Sequence, residues 1–545
     1  MYLFIVFIFS LFLTIGLIPI VKRMAFRANL VDEPDSRKVH VLPMPRSGGI
    51  SMALGAIIPV LLWVPIDDRI RAVLIGCAVI VFFGVVDDIK NLKYTHKLLA
   101  QTAGALLVIF WADIRIHCLG NLVSTDFILP SFFAVGLTLF FIVGVTNAIN
   151  LSDGLDGLAG GISMLSFVSI GFLAYRSDNM QLAILSSAVI GAILGFLRYN
   201  THPATIFMGD GGSQMLGFLC AVFTLMLTQY NSPYSQVTPL FLIGFPILDT
   251  LTVMIERIIN GGSPFKPDKN HFHHKLMKLG LYHSESVITI YLIQTIFIFF
   301  AFSLRFYSNW VNLIAFTVLA GTTVFLFAIA GKKRFRFRKK RGINPPSPSM
   351  LAIIGGEKFS IRFFFNAFKW GLVLLLFFQC IICQKMPLYM SAGALLLILL
   401  ILVVRRIKPY LKKEVLRVAL YSSIPLLIYF STTTTHAWVT HEIQMINNAF
   451  FIILIVFVIA TLNLTKRQKG FRLNPLDYLV FIVIIIFPNL PTIHMQDPVF
   501  KLVVAKILIL FFSYEVLLGE LRKEDTFLDI SLIASFMVIV IKSFI

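Results

Sequence analysis

The sequence predicts an all-α polytopic integral membrane protein, and three observations support that prediction. Hydrophobic residues make up 58% of the 545-residue chain, and its mean hydropathy of +0.86 excludes a water-soluble fold. Apolar runs of about 17–25 residues recur throughout, which is the length a helix needs to cross a bilayer. Most of the surplus of 47 Lys and Arg over 27 Asp and Glu lies in short segments between these runs. That pattern indicates topology and contact with anionic lipids, and no nucleic-acid binding.

Basic residues set the predicted sidedness. The first apolar run, residues 2–21, has no basic segment before it and no small-residue cleavage site after it, so we expect a retained span and not a signal peptide. The strongly basic segment that follows is predicted to be cytoplasmic. Ten further spans then alternate across the membrane, predicted at residues 47–65, 70–86, 97–112, 128–147, 159–176, 180–197, 213–229, 237–257, 287–305 and 309–330.

A basic stretch divides the chain. Residues 332–341 contain eight Lys and Arg and are followed by a Pro/Ser-rich stretch at 344–349. This composition predicts a cytoplasmic linker at 331–350. The prediction is therefore a core of about eleven helices in residues 1–330 and a C-terminal bundle of about seven more spans in residues 351–545. The C-terminal part has no acids clustered at span ends, and no activity follows from it.

Polar residues cluster at the ends of apolar runs in four places. Asp87 and Asp88 are adjacent where one run ends, and such a pair is costly unless a cation is held there. The simpler alternative is a helix end at which both acids face water. The other three clusters are residues 147–157, 207–213 and 267–274. The predicted alternation places all four on the cytoplasmic side, which indicates one cytoplasmic active site.

These clusters are rich in hard oxygen ligands. They contain the carboxylates of Asp87, Asp88, Asp153, Asp156 and Asp210 and the amides of Asn147 and Asn150. Such oxygens suit Mg²⁺, or Mn²⁺ in its place, far better than zinc or copper, and magnesium implies phosphates. Glycines flank Asp210 just before a span and would let helix N-terminal amides approach an anion. An ordinary turn with a helix cap is the alternative.

A histidine cluster forms the last candidate group. His271, His273 and His274, with Lys266 and Lys269, offer donors for a diphosphate or a sugar. A structural zinc site is one alternative, but no cysteine or second close pair of histidines accompanies the cluster. A solvated loop without a role is the other.

Taken together, these motifs resemble those of the polyprenyl-phosphate N-acetylhexosamine-1-phosphate transferases, and more distantly phospho-N-acetylmuramoyl-pentapeptide transferase. The matching segments are residues 37–40, 45–49, 86–88, 147–161, 206–213 and 246–276. They lie in order within residues 1 to about 330 and do not extend to the remaining third. The form His271-Phe-His273-His274 resembles the N-acetylglucosamine branch, which implies UDP-GlcNAc as the donor while other N-acetylated sugars stay open.

The resemblance implies a reaction. Polyprenyl (undecaprenyl) phosphate would attack the β-phosphorus of a UDP-N-acetylhexosamine, giving a polyprenyl-diphosphate sugar and UMP at the start of cell-wall or surface polysaccharide synthesis. Residues 1–330 would form this transferase domain, with the active site on the cytoplasmic face of a prokaryotic cytoplasmic membrane. Oligomeric state does not follow, and a homo-oligomer is compatible with the sequence.

The resemblance also implies roles for individual residues. Asn150 and Asp210 would hold Mg²⁺; Asp87 and Asp88 would engage the acceptor phosphate or the metal; Asp153 and Asp156 would order the nucleotide side of the site. Phe207 would stack on the uracil, Arg46 and Asn147 would bind substrate, and His271, His273 and His274 would contact the diphosphate or the sugar.

Two other classes of protein share some of these features. A transporter or flippase of lipid-linked sugars has many spans, but its site is expected near the bilayer midplane and not at one face. A CDP-alcohol phosphotransferase also combines aspartates with magnesium, but the segment Asp153-Gly-Leu-Asp156 lacks the D-G-x-x-A-R element of that family.

Overall fold

The described residues are mostly helical, and the chain divides into two compact units. One comprises Met1–Arg341 with Asn474–Val483, and the other Gly342–Leu473 with Ile484–Ile545. The computed structural model describes residues 2–33, 43–123, 127–230, 232–263, 270–332, 357–384, 386, 388–407, 412–433, 435–436, 438–465, 475–476, 478–479, 498–520 and 527–544. Within these residues, eleven helices are long and apolar enough to cross a membrane, so the predicted all-α membrane fold is confirmed.

The described part of the first unit up to residue 332 contains thirteen α-helices. The first seven are α1 Tyr2–Arg27, α2 Gly48–Trp63, α3 Asp68–Lys90, α4 Tyr94–Phe110, α5 Ser131–Leu151, α6 Leu158–Arg176 and α7 Met180–Asn200. The others are α8 Gly209–Thr228, α9 Thr238–Leu242, α10 Gly244–Ile259, α11 Phe272–Lys278, α12 His283–Leu304 and α13 Asn309–Lys332. A short antiparallel pair, β1 Val31–Asp32 and β2 Met44–Pro45, precedes α2, and a single 3-10 turn lies at Gly120–Leu122.

Helix α8 is the centre of the first unit. Its apolar 18-residue stretch is entirely buried inside the protein, because α2, α3, α5 and α6 all pack against it. A helix that is apolar on every side is expected in a protein core or facing lipid, and α8 takes the first of these positions. The N-terminus of α8 carries Asp210, so the central helix delivers this acid to one end of the bundle.

The predicted span at 237–257 is wrong as a continuous helix, because the chain breaks at Ile243 between α9 and α10. The backbone groups freed by the break are bonded internally. Gln294 Nε2 donates to Leu242 O at 2.8 Å, and its Oε1 accepts from Phe245 N at 2.9 Å. Ser166 Oγ also donates to Leu242 O, at 2.7 Å. Broken helices are tolerated at membrane depth where protein groups satisfy them in this way.

The second unit has six helices among its described residues. They are Glu357–Ile382, Leu388–Ile407, Lys412–Thr433, His441–Thr465, Pro498–Glu520 and Phe527–Phe544. The count of about seven spans stays a prediction, since residues 480–497 lie outside the described part. A buried amide network joins three of these helices: Gln379 donates to Asn447 at 2.8 Å and accepts from Ser431 at 3.0 Å. The predicted linker at 331–350 also falls almost wholly outside the described residues.

Candidate functional site

The two adjacent aspartates lie at the C-terminal end of α3. Asp87 is 4% exposed and Asp88 is 8% exposed, so neither acid simply faces water. The helix ends because Asn91 takes a left-handed conformation with φ +48°, and its N–H bonds to Asp87 O at 2.7 Å. In the turn that follows, Leu92 N donates a hydrogen bond to Asp87 Oδ1 at 2.7 Å. One oxygen of Asp87 thus fixes the turn, and the other is left to the site.

Lys97, in the first turn of α4, joins acids from two different helices. Its Nζ lies 2.5 Å from Asp87 Oδ2 and 2.8 Å from Asp210 Oδ2. The ammonium therefore bridges the end of α3 and the beginning of α8. Such a bridge stabilises two carboxylates that would otherwise repel each other.

Asp88 faces the N-terminus of α8. Gly211 N donates to Asp88 Oδ2 at 3.4 Å, so a helix N-terminal amide does meet an anion here. Gly209 allows the approach, because it has φ +73° and a Cβ there would lie 2.5 Å from Asp88 Oδ2. The glycines around Asp210 thus have a structural reason beyond an ordinary turn.

Arg46 approaches the acids from β2. Its Nη1 lies 3.9 Å from Asp88 Oδ1, and its Nη2 forms an ion pair with Asp32 of β1. About 30% of the Arg46 side chain is exposed, so the guanidinium stands at the rim of the acid cluster. It is shared between Asp32 and Asp88.

Asp153 follows the C-terminal end of α5 and completes the cluster of acids. Its side chain is exposed, yet many protein atoms lie close to it and weaken its hydration. This desolvation, followed by the negative charges of Asp210 and Asp88, raises the pKa of Asp153 to about 7. Asn150 lies one turn earlier and is half-buried, and no described residue bonds its side-chain amide.

The charges of this acid cluster fit a divalent cation. Four carboxylates, those of Asp87, Asp88, Asp153 and Asp210, stand against two cationic side chains, Lys97 and Arg46. The excess of negative charge and the all-oxygen donor set are what Mg²⁺ requires, and Asn150, one turn before Asp153, has a neutral amide oxygen that suits the same cation. Asp210 and Asn150 are therefore suitable ligands.

Asn147 is held by neighbouring amides. Its Nδ2 donates to Gln101 Oε1 at 2.7 Å and to Val143 O at 2.8 Å, and Gln101 Nε2 donates to Gln214 Oε1 at 3.0 Å. Gln101 and Gln214 each lie four residues after a member of the Lys97–Asp210 pair. Residues four apart share a helix face, so Gln101 and Gln214 lie next to that pair on the same faces of α4 and α8. Through Asn147 these amides also join both helices to α5.

The histidine cluster is fixed by a buried acid. Asp249 of α10 is 2% exposed, and its carboxylate accepts from His271 Nδ1 at 2.9 Å and from Phe272 N at 2.8 Å. His273 packs on the loop after α5, because a Cβ on Gly154 would lie 2.4 Å from its Nε2. Burial, with the neighbouring imidazoles, lowers the pKa of His273 to about 3, so the ring is neutral. It offers one donor and one acceptor.

The hydrogen-bond partners of Asp156 lie outside the acid cluster. Its Oδ2 accepts from His202 Nδ1 at 2.8 Å and from Ala204 N at 3.1 Å, while its own N–H donates to His283 Nε2 at 3.1 Å. The three side chains lie close enough to hold a metal ion. However, the Nε2 lone pair of His283 is already used by the Asp156 N–H. These hydrogen bonds account for the arrangement without a metal ion, although Nδ1 of His283 is buried with no partner among the described residues.

Backbone hydrogen bonds join the segment between α7 and α8 to the stretch that runs from β2 into α2. Phe207 N donates to Pro45 O at 2.8 Å, and Phe207 O accepts from Gly48 N at 2.9 Å. Met208 O accepts from Gly49 N at 2.9 Å. The backbone of Phe207 is thus fixed, and its ring is half-buried.

The structure thus brings the predicted residues of all four polar clusters to one end of the first unit. His274 is half-buried and adjoins His273, with ring centroids 4.2 Å apart. Residues 37–40 of the first matching segment, and Lys266 and Lys269, lie outside the described residues. Sequence reasoning missed four polar residues that the structure places here: Lys97, His202, Asp249 and His283. Three of them, Lys97, His202 and His283, are single charged or imidazole groups next to apolar runs. Asp249 lies inside a predicted span and within one of the matching segments.

Comparison with known proteins gives a consistent result. Residues 70–228 match the sequence model of glycosyl transferase family 4. The chain is 38% identical over 315 residues to the probable undecaprenyl-phosphate N-acetylglucosaminyl 1-phosphate transferase of Bacillus subtilis, covering 57% of this chain and 88% of that protein. It is 31% identical over 347 residues to undecaprenyl-phosphate alpha-N-acetylglucosaminyl 1-phosphate transferase of Escherichia coli K12, covering 59% and 92%. Decaprenyl-phosphate N-acetylglucosaminephosphotransferase of Mycobacterium leprae is 35% identical over 321 residues, covering 52% and 79%.

Proposed function

This chain belongs to glycosyl transferase family 4, and we propose that it transfers N-acetylglucosamine 1-phosphate from UDP-GlcNAc to undecaprenyl phosphate. The names of its relatives support the polyprenyl phosphate acceptor and the GlcNAc-phosphate group, and favour a transferase over a transporter or flippase. The observation that carries the proposal is the acid cluster at the end of the bundle, with Lys97 between two of its acids.

The proposed reaction is a phosphoryl transfer. An oxygen of the lipid phosphate bonds to the β-phosphorus of the UDP-sugar, and the bond from that phosphorus to the bridging oxygen breaks, releasing UMP. A phosphate monoester with a second pKa near 6 is largely ionised at neutral pH, so a strong base is not required. Catalysis then rests on positioning and on charge stabilisation.

The residues divide this work by location. Asp210 and Asn150 would hold Mg²⁺, whose charge would offset that of the diphosphate. Lys97 adds a fixed positive charge beside it, and Asp87 and Asp88 hold Lys97 and the α8 N-terminus in place. The neutral His273 can donate a hydrogen bond to a sugar or phosphate oxygen without adding a charge.

Phe207→Ala tests the proposed uracil platform. We expect the KM for the UDP-sugar to rise about tenfold or more, because base stacking on an aromatic ring is lost. The magnesium dependence should not change. Since the hydrogen bonds of Phe207 come from its backbone, alanine leaves them intact, and Phe207→Tyr serves as the stacking control. Steady-state kinetics with varied UDP-GlcNAc measure the effect. An unchanged KM would show that the uracil does not stack on Phe207.

The site is proposed to lie on the cytoplasmic face, as the positive charge of the loops suggests. In a variant with the half-buried Cys118 replaced by serine to remove its own labelling, cysteine at position 153 should react with an impermeant thiol reagent in inverted vesicles and not in intact cells. Cysteine at Val123, which is 60% exposed in the connection between α4 and α5, should show the opposite pattern. Labelling of position 153 from outside would invert the proposed topology.

A direct assay tests the function itself. Membranes containing the full chain are incubated with undecaprenyl phosphate, Mg²⁺ and radiolabelled UDP-GlcNAc, UDP-GalNAc or UDP-glucose in separate reactions. We expect label from UDP-GlcNAc in the lipid fraction and equimolar UMP. Transfer from another sugar alone would correct the donor, and label in lipid without UMP would refute the reaction.

A further inference from the structure

Three residues beside the acid cluster, Asp156, His202 and His283, contact one another and are called the node below. Asp156 Oδ2 receives two N–H groups from the segment between α7 and α8, one from the His202 ring at 2.8 Å and one from Ala204 at 3.1 Å. A carboxylate is an acceptor only, so His202 must carry its proton on Nδ1. The carboxylate of Asp156 is therefore a clamp on that segment.

His283 supports the node from the first residue of α12. Its Nε2 accepts the backbone N–H of Asp156 at 3.1 Å, and its ring stacks on that of His202 with centroids 4.2 Å apart and planes 22° apart. Each of the three residues thus contacts the other two. They come from three parts of the chain that are otherwise far apart in sequence.

The node sets the distance between Asp153 and Asp210, which are not themselves part of it. Asp156 ends the same short loop that carries Asp153, and His202 begins the segment that leads to Asp210. The loop is held again just beyond the node, where Gly157 N donates to Asn200 Oδ1 at 2.9 Å and Tyr291 Oη donates to Gly157 O at 2.7 Å. Any movement of the loop would shift Asp153 relative to Asp210.

We propose that His202 and His283 are positioning residues that hold the Asp156 loop, and through it Asp153, in register with Asp210. The role of Asp156 in this arrangement is to accept two hydrogen bonds from the segment between α7 and α8. This inference rests on the proposed function for its effect on turnover. The hydrogen-bonded node itself does not depend on it.

Amide side chains give a sharp test, because asparagine can place a donor where His202 Nδ1 stands and glutamine an acceptor where His283 Nε2 stands. In the full chain, His202→Ala and His283→Ala should each lower kcat about 10- to 100-fold, as expected for misplaced catalytic groups. His202→Asn and His283→Gln should recover most of this loss. The double alanine variant should be little worse than the worse single one, because both act through Asp156.

Thermal unfolding of the same purified variants provides a readout that does not require the reaction. Non-additive shifts in Tm between His202→Ala and His283→Ala, with recovery by the amides, would show the node even if no UDP-sugar were turned over. Additive Tm shifts would overturn it. A protein with the node intact and no transfer from any UDP-sugar would refute only the proposed function.

Two activity patterns would also overturn the inference. If His202→Asn and His283→Gln were as inactive as the alanine variants, and a chelator abolished activity that zinc then restored, the three side chains would be a metal site. If kcat stayed normal in the alanine variants while Tm fell, the node would be structural only.

Discussion

Asp210→Asn should reduce turnover by about a hundredfold to a thousandfold and raise the magnesium concentration needed for half-maximal rate. The substitution removes an anionic oxygen from a hard cation, and loss of charge stabilisation in the transition state has this order of magnitude. The fold should survive, because Lys97 keeps its contact of 2.5 Å with Asp87. Initial rates measured over a magnesium titration at saturating UDP-GlcNAc give both quantities.

Asp68→Asn is the matched control. Asp68 is also an acid in the first turn of a helix, at the start of α3, but its side chain is 67% exposed and pairs with Arg71 at the surface. An exposed pair of this kind contributes little, so turnover and magnesium dependence should stay normal. Near-normal values for Asp210→Asn itself would refute its assignment as a ligand and leave Asp87 and Asp88 as the metal site.

The sequence predicts the helical membrane fold well, because length and hydropathy decide whether a segment can cross a bilayer. It predicts less well where a helix is interrupted. The break at Ile243 carries no polar residue of its own, since Gln294 and Ser166 from other helices satisfy its backbone. Gly244 and Pro246 are local signals of a break, but the hydrogen bonds that satisfy it depend on tertiary packing and cannot be read from the sequence.

The same limit applies to the candidate site. Paired acids and glycines around an acid are visible as patterns, and the structure places Asp88 against the α8 N-terminus that the glycines open. Lys97 was not recognised because a lysine at the start of an apolar run indicates topology first. The resemblance gives Asp156 the same role as Asp153, yet in the structure the Asp156 carboxylate accepts from His202 and its backbone N–H donates to His283.

Lys97→Met should have an effect of similar size on turnover but the opposite effect on magnesium. The variant loses the ammonium that lies between Asp87 and Asp210, so we expect kcat to fall about a hundredfold, as when one charge-stabilising donor is removed. The two carboxylates, no longer neutralised, should attract Mg²⁺ more strongly, and the half-saturating concentration should fall. Lys97→Arg should retain part of the rate, because its charge remains while its fork fits two separate acids less well.

Lys93→Met separates this effect from a general loss of positive charge. Lys93 lies one turn before Lys97 and is exposed at the N-cap of α4, so its replacement should leave both kcat and the magnesium dependence unchanged. A magnesium titration of Lys97→Met, Lys93→Met and Asp210→Asn then separates the effect of the Lys97 charge from that of a general loss of positive charge. If Lys97→Met raised the magnesium requirement, as Asp210→Asn does, its ammonium would be supporting the metal ligands and not balancing their charge. If Lys97→Met kept a normal kcat, the bridge between α3 and α8 would have no part in catalysis.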